Sequence, residues 1–123
     1  MKVRLNTGSD AGAAAVEFAL VLLLLAMLLF GIVQYGYTFF EYIQVAQSAR
    51  EAVRWGALGS ADSEIRAKAA AAAPALGSAL AVTIARTADS VSVTVRYPVT
   101  RLAPLPEIAV PASVSSTAVQ RKE

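Results

Sequence analysis

The sequence predicts an α+β protein: one long N-terminal helix that crosses a membrane, a short second helix, and a small antiparallel sheet of about three strands. Three observations lead to this fold class. No charged residue occurs between Phe18 and Phe40, which favours a membrane helix. Apolar residues then recur about every 3.6 residues, the helical period. Between Val91 and Tyr97, apolar and polar residues alternate, which is typical of a half-buried strand.

The bulk composition limits the chain to one membrane segment and one modest soluble part. The chain has 123 residues, of which 56% are hydrophobic and 16% charged, and its mean hydropathy is +0.54. This length leaves room for a single small domain. The composition is too apolar for an ordinary soluble domain, and a membrane helix accounts for the excess.

The charged and reactive residues argue against enzyme and nucleic-acid functions. The 11 basic and 9 acidic residues give a net charge of +2 and do not cluster, which disfavours nucleic-acid binding. Without cysteine or histidine, the chain lacks the usual ligands of zinc and iron–sulfur clusters and the groups of Ser-His-Asp and Cys-His sites. It also lacks a Gly-rich phosphate loop and a G-x-S-x-G motif. We therefore predict no enzymatic activity, no small-molecule substrate, and no catalytic, cofactor-binding or metal-binding residues.

Residues 13–35 are predicted to form the membrane-spanning part of the helix. At roughly 1.5 Å per residue they span about 34 Å, enough for the ~30 Å hydrocarbon core of a bilayer. The Leu, Ile, Val and Phe residues between Phe18 and Val33 contribute on the order of −5 kcal/mol to insertion. One carboxylate at the membrane centre costs roughly +3 kcal/mol. Because Glu17 lies near the end of the segment, its cost is smaller and insertion is favoured.

The flanking charges predict the orientation of this segment. Lys2 and Arg4 precede it, and the next basic residue is Arg50, so the positive-inside rule keeps the N-terminus in the cytoplasm and exports the rest. An aromatic cluster then marks the far interface: Tyr35, Tyr37, Phe39, Phe40 and Tyr42. These bulky residues take the place of a small-x-small site, which argues against a cleaved secretory signal. On hydrophobicity alone, a plain signal anchor remains the alternative.

Residues 36–59 are predicted to continue the helix beyond the membrane as an amphipathic extension. Its apolar stripe is formed by Phe39, Ile43, Ala46, Ala49, Val53 and Ala57. Polar residues lie mostly off this stripe: Glu41, Gln44, Gln47, Glu51 and Arg54. The helix is expected to end near Gly56 or Gly59, since glycine suits a C-terminal cap.

Residues 60–123 are predicted to form a small exported α+β region. An acidic stretch begins a second, alanine-rich helix that ends before Pro74. The remaining elements are strands at Leu80–Arg86, 91–97 and Ala112–Val119, a hairpin turn at 87–90, and a solvated end at 120–123. Because so small a sheet is marginal alone, it should pack on the wet half of the long helix, as in a component of an assembly.

The junction between Gly12 and Ala13 has a distinct physical character. Small residues at positions 11 to 15 would let an extended backbone enter a protease cleft. A cut after Gly12 would create an amine on Ala13 at a helix N-terminus, where the macrodipole disfavours positive charge. Glu17 lies four residues further on the same helix face, so its carboxylate can offset this amine in its own chain or in a neighbour. The alternative role for Glu17 is an acid that merely extends to the membrane interface.

The same residues match a known pattern. Gly12, followed by Ala-Ala-Ala-Val and by Glu17 and Phe18 at the start of a leucine-rich helix, resembles the prepilin peptidase site of type IV pilins. This version is similar to the TadE-like pseudopilins of the Flp/Tad pilus. Residues 49–54 are similar to the Ala-Arg-Glu-Gly-Ala-Arg stretch of that family, and the Val-Arg-Tyr-Pro of residues 95–98 resembles its C-terminal strands.

The resemblance implies a pilin-like fold and a role in Flp pilus assembly within a Tad secretion system associated with cell adhesion. A prepilin peptidase would remove residues 1–12 as a leader peptide, and Glu17 with Phe18 would register the mature subunit against its neighbours. The chain would be a minor pseudopilin that primes or caps the filament. It would be a single-pass protein of the bacterial cytoplasmic membrane. Its implied partners are the peptidase, other pilins and pseudopilins, the inner-membrane assembly platform and membrane lipid.

Two of these predictions retain alternatives. Arg50, Glu51 and Arg54 form either a subunit contact or an ordinary solvated face of the helix. The chain as a whole is either a pilus assembly subunit or a signal-anchored exported binding module that does not join a filament. The mature N-terminus separates these two functions, since only the pilin-type subunit is cut after Gly12.

Overall fold

One continuous helix forms the axis of the molecule. The computed structural model describes residues 7–102 and 109–122. The first helix, α1 (Thr7–Ala57), has 51 residues and is therefore about 76 Å long. Gly59 follows with a φ of 84°, a left-handed conformation that glycine adopts without strain and that commonly ends helices. The predicted long helix and its end near Gly56 or Gly59 are confirmed.

A short alanine-rich helix, α2 (Asp62–Ala72), packs against α1. Two acidic residues in its first turn stabilise its start, because the helix dipole is positive there. Pro74 stops the helix and begins a short 3₁₀ segment. The hydroxyl of Ser48, buried on α1, donates a hydrogen bond of 2.8 Å to the carbonyl oxygen of Ala69. The predicted second helix is confirmed, and its small side chains let the two helices approach closely.

The sheet has three antiparallel strands in sequence order. They are β1 (Ala81–Arg86), β2 (Ser90–Pro98) and β3 (Ser113–Arg121). The predicted strands are confirmed, with one correction at the C-terminal end. Gln120 and Arg121, expected in a solvated end, extend β3 and pair with Val91 and Ser90. Their side chains are exposed, so the apolar–polar alternation that predicts a half-buried strand is missing here. The backbone pairing that continues to Arg121 could therefore not be predicted from it.

The core lies where α1, α2 and β2 meet. Val91, Val93 and Val95 of β2 are fully buried in it. The two helices add Val45, Ala49, Ala52, Val53, Ile65 and Ala69, and the segment after α2 adds Ala73 and Leu76. Gly56 marks the closest approach, since a Cβ there would lie 2.9 Å from the Cγ1 atom of Val91. A glycine is therefore required for α1 to pack against the sheet at this level.

The buried face of α1 differs from the predicted apolar stripe in its first turns. Phe39 and Ile43 are 64% and 41% exposed, so the prediction is wrong for them. The residues buried in these turns are mostly polar: Gln34, Thr38, Glu41, Val45 and Ser48. Glu41, expected off the stripe, has 0% exposure. Hydrophobic periodicity fails here because a peptide segment covers the helix, and its backbone N–H and C=O groups need polar partners.

Candidate functional site

The predicted processing junction lies inside α1. Gly12 and Ala13 are helical and exposed. Apart from its own helix backbone, a Cβ placed on Gly12 would meet no atom of the described residues within 4 Å, so packing does not require a glycine there. Gly12 and Ala13 are both within the described part of α1, so the bond between them is helical. A protease that binds extended backbone has to unwind the helix there first.

Glu17 and Phe18 stand about one helical turn beyond the junction. Both side chains are exposed, Phe18 to 67%. Within residues 7–102 and 109–122, the carboxylate of Glu17 has no hydrogen-bond or salt-bridge partner. Ala13 lies four residues earlier on the same face of α1, so a cut after Gly12 would place the new amine about 6 Å along the axis from Glu17. The carboxylate is thus available to a neighbouring chain.

Arg50, Glu51 and Arg54 lie together in an open cleft between α1, α2 and β3. The cleft has a volume of about 940 Å³. Its walls outside α1 come from Leu58 and from α2 and β3, which supply Lys68, Ala71, Ala72 and Gln120. The structure therefore brings the three predicted contact residues together and adds Lys68, which sequence reasoning missed because it lies on another element.

Positive charge predominates in this cleft. Glu51 accepts a hydrogen bond of 2.8 Å from the indole nitrogen of Trp55, and the ammonium group of Lys68 lies 4.1 Å from the centre of the same ring. In the part of the chain that the structure describes, the guanidinium groups of Arg50 and Arg54 have no hydrogen-bond or ion-pair partner. That part also contains no cluster of acidic residues suited to a metal ion. With three cations and one carboxylate, the cleft is suited to an anionic group.

A polar joint between α1 and the segment after β2 was also missed by sequence reasoning. We call residues 99–102 the strap. The side-chain amide of Gln34 binds it twice, donating to the carbonyl oxygen of Thr100 at 2.9 Å and accepting from the backbone nitrogen of Leu102 at 2.7 Å. Both carboxylate oxygens of Glu41 accept from the backbone nitrogen of Thr100, at 3.2 and 3.3 Å. These bonds hold the strap along the helix.

The sequence contains a signal for this joint but no indication of its partner. Gln34, Thr38 and Glu41 recur at helical spacing among aromatic residues, which makes a polar stripe where an apolar one is expected. Buried polar side chains of this kind require hydrogen-bond partners. The strap groups that supply them lie 59 to 68 residues further along the chain, so no local pattern connects the two.

Comparison with known proteins identifies the N-terminal part of the chain. Residues 12–54 match the sequence model of the family described as TadE-like protein. Over these residues the chain is similar to that family, and we call residues 12–54 the TadE-like segment. The match agrees with the resemblance predicted from the Gly12 junction and from residues 49–54, and it does not extend to residues 95–98. No curated protein and no solved structure matches the chain.

The TadE-like segment lies wholly within α1. It begins at Gly12, includes Glu17 and the residues that bind the strap, and ends at Arg54. The apolar part of the helix has a mean hydropathy of 2.8, and none of that part is buried in the structure. By length and composition, the TadE-like helix fits a single-pass membrane protein.

Proposed function

We propose that the chain is a minor pseudopilin of a Tad/Flp-type pilus, cut by a prepilin peptidase after Gly12 and acting in pilus assembly or initiation. The position of Glu17 carries this proposal. Its carboxylate is exposed at the threshold of an apolar helix, about one turn beyond the junction, and inside the TadE-like segment. Processing and subunit registration together give a reason for a charge at that place.

The apolar surface of α1 supports placement in the bacterial cytoplasmic membrane. Large side chains between Val16 and Val33 are exposed, Leu24 to 72%. An apolar surface of this extent requires lipid or protein around it, and a helix satisfies its own backbone groups, as a membrane span must. Lys2 and Arg4 favour a cytoplasmic N-terminus, which leaves the sheet and the basic cleft on the exported side.

Removal of residues 1–12 is compatible with the exported fold. Along the described part of α1, buried side chains begin at Gln34, about 33 Å along the axis from Gly12. The junction therefore contributes nothing to the described core. A glycine that packing does not require is consistent with recognition by a peptidase whose cleft admits only a small residue before the scissile bond.

Intact-mass measurement of the chain purified from cells that contain a prepilin peptidase tests the processing step. We expect an N-terminus at Ala13. Gly12→Val is expected to reduce the cleaved fraction about tenfold or more, because a branched side chain no longer fits a small subsite. Gly36→Val is the matched control, since Gly36 is also exposed on α1 with open space around an added Cβ. An intact Met1 in the unaltered chain would contradict the proposal and favour the signal-anchored binding module.

Glu17 is proposed to bind the N-terminal amine of a neighbouring subunit within the membrane. Ala13 and Glu17 lie on the same face of α1, and the Glu17 side chain is exposed, so a neighbouring chain can reach it. In an apolar medium an ion pair is stable only while both partners are present, and loss of one partner costs about 3–5 kcal/mol. A missing carboxylate should therefore weaken subunit registration without preventing insertion.

The basic cleft is proposed as a second subunit contact, for an acidic surface of a partner pilin. Arg50 and Arg54 present exposed guanidinium groups, and Lys68 adds a third cation. Electrostatic complementarity of this kind guides partner choice and orientation more than it adds affinity. The cleft is open between α1, α2 and β3, and Arg50 and Arg54 are exposed in it.

One crosslinking experiment with co-produced pilins of the system tests both contacts. Glu17→Gln is expected to lower the crosslinking yield about tenfold or more. The control Glu64→Gln, which changes an exposed carboxylate on α2, should leave the yield unchanged.

Joint replacement of Arg50 and Arg54 by glutamate should reduce the crosslinking yield at low salt, and the reduction should shrink as salt screens the charges. Arg96→Glu on β2 is the control for that pair. Unchanged yields would assign Glu17 to the lipid interface and the cleft to a solvated face.

A further inference from the structure

The apolar surface of α1 continues beyond the predicted membrane segment. Five further large side chains are at least one third exposed: Tyr37, Phe39, Phe40, Tyr42 and Ile43. From Val16 to Ile43 the helix rises about 40 Å. This length exceeds the ~30 Å hydrocarbon core and is close to the ~40–45 Å of a bilayer with its headgroup layers.

The exposed apolar residues of this stretch surround more than half of the helix. Counted from Tyr35 at 3.6 residues per turn, the exposed side chains through Ile43 cover an arc of about 220°. A single packed partner helix covers a stripe, which is narrower than this arc. A surrounding solvent such as lipid covers the whole of it, and the surface is continuous with the membrane-spanning part of α1.

The strap covers the remaining side of the helix, which is polar. Gln34, Thr38 and Glu41 are 1%, 8% and 0% exposed. Their hydrogen bonds run to each other and to the strap backbone, and no buried side-chain nitrogen or oxygen among the described residues lacks a partner. An unsatisfied polar group that faces lipid is strongly unfavourable, because lipid offers it no hydrogen-bond partner. The strap removes this cost at the level where the helix leaves the hydrocarbon core.

The two exposed residues of the strap are one cation and one apolar residue, Arg101 and Leu102. Leu102 is 53% exposed, and its backbone nitrogen is bound to Gln34, within one residue of the end of the predicted membrane segment. The hydroxyl of Tyr35 donates to the carbonyl oxygen of Ala109, so Ala109, which precedes β3, lies beside the same part of α1. The part of the exported domain nearest the membrane segment therefore exposes Arg101 and Leu102 at the same level as the tyrosine and phenylalanine rings of α1. Such aromatic rings prefer the membrane interface.

We propose that the strap and the aromatic turns of α1 from Tyr35 to Ile43 lie in the outer headgroup layer, with lipid as their partner. The exported domain thus rests on the membrane, and the strap keeps Gln34 and Glu41 out of contact with lipid. This inference rests on the membrane placement of α1 under the proposed function.

Depth-dependent fluorescence quenching tests the proposal. The chain has no cysteine, so a single introduced cysteine carries the only thiol-linked fluorophore. The full chain is placed in vesicles of phosphatidylethanolamine and phosphatidylglycerol that contain a nitroxide either near the headgroup or deep in the acyl chains. Phe39→Cys and Leu102→Cys probe the proposed interface. Leu24→Cys and Thr83→Cys, both at exposed positions, are the controls for the membrane centre and for the exported sheet.

The four positions separate failure of this inference from failure of the membrane placement. We expect the shallow nitroxide to quench positions 39 and 102, the deep nitroxide to quench position 24, and only aqueous iodide to quench position 83. If the deep nitroxide does not quench position 24, the membrane placement itself is wrong. If position 24 behaves as expected but iodide alone quenches positions 39 and 102, the domain stands clear of the membrane and the inference is overturned. Protection of position 39 from both lipid nitroxides and iodide would show a protein partner in place of lipid, and would also overturn it.

Discussion

Replacing Ile65 with alanine is expected to lower the free energy of unfolding of the exported domain by about 2–5 kcal/mol. Ile65 is among the largest side chains with 0% exposure. Its Cδ1 atom lies 3.4 Å from the position of a Cβ built on Gly56, so it fills the corner between α1, α2 and β2. Helix and sheet backbones cannot collapse into such a space without breaking their own hydrogen bonds. Since small domains have about 5–15 kcal/mol of stability in total, this loss is a large fraction.

Chemical denaturation in detergent, followed by tryptophan fluorescence, measures this change. Trp55 is the only tryptophan in the chain and is half-buried against the core, so its emission reports on the packing of α2. Leu58→Ala is the control, because Leu58 is 56% exposed and its loss should change stability by no more than about 0.5 kcal/mol. Equal losses in the two variants would show that Ile65 does not hold α2 in place.

Replacing Glu41 with alanine is expected to cost about 2–4 kcal/mol and to release the strap. The change removes the acceptor for the backbone N–H of Thr100 and leaves a cavity at a fully buried position. Removing one partner of a buried hydrogen bond costs more than removing both, because the remaining group has lost its water as well. The effect should be concentrated in the strap, while the sheet ladder stays intact.

Amide hydrogen exchange of Thr100 and Leu102 measures the release of the strap. Both amides should exchange faster in Glu41→Ala. Glu41→Gln keeps one side-chain oxygen as acceptor and should show a smaller acceleration. The exposed Glu64→Ala serves as the surface control and should leave both amides unchanged. Slow exchange of Thr100 in Glu41→Ala would contradict the assigned role of this carboxylate.

Most of the fold follows from patterns that lie within one element. The charge-free run after Glu17 predicts a helix long enough for a membrane, and the alternation around Val93 predicts a half-buried strand. The acidic start and the proline stop of α2 are likewise local. Each of these signals comes from residues within a few positions of one another, and the structure confirms each element they predict.

The predictions that failed depend on distant parts of the chain. Phe39 and Ile43 fit the apolar stripe by spacing, but the strap selects the neighbouring face with Glu41 instead. A polar side chain is buried only where other groups of the chain supply its hydrogen bonds. For Glu41 the donor is the backbone N–H of Thr100, which lies 59 residues further along the chain. The same limit applies to the cleft. Arg50 and Arg54 are adjacent on one helix and were predicted together, whereas Lys68 joins them only through the packing of α2.

The continuity of α1 couples the two ends of the molecule in rotation. The helix passes from Glu17 to Ala57 without interruption, and no proline precedes Pro74 to provide a bend. Its last turns are fixed against α2 and the sheet by the buried contacts around Gly56. The direction of the Glu17 side chain around the helix axis is therefore tied to the direction in which the sheet faces. A subunit cannot turn this carboxylate toward a neighbour without turning its whole exported domain by the same angle.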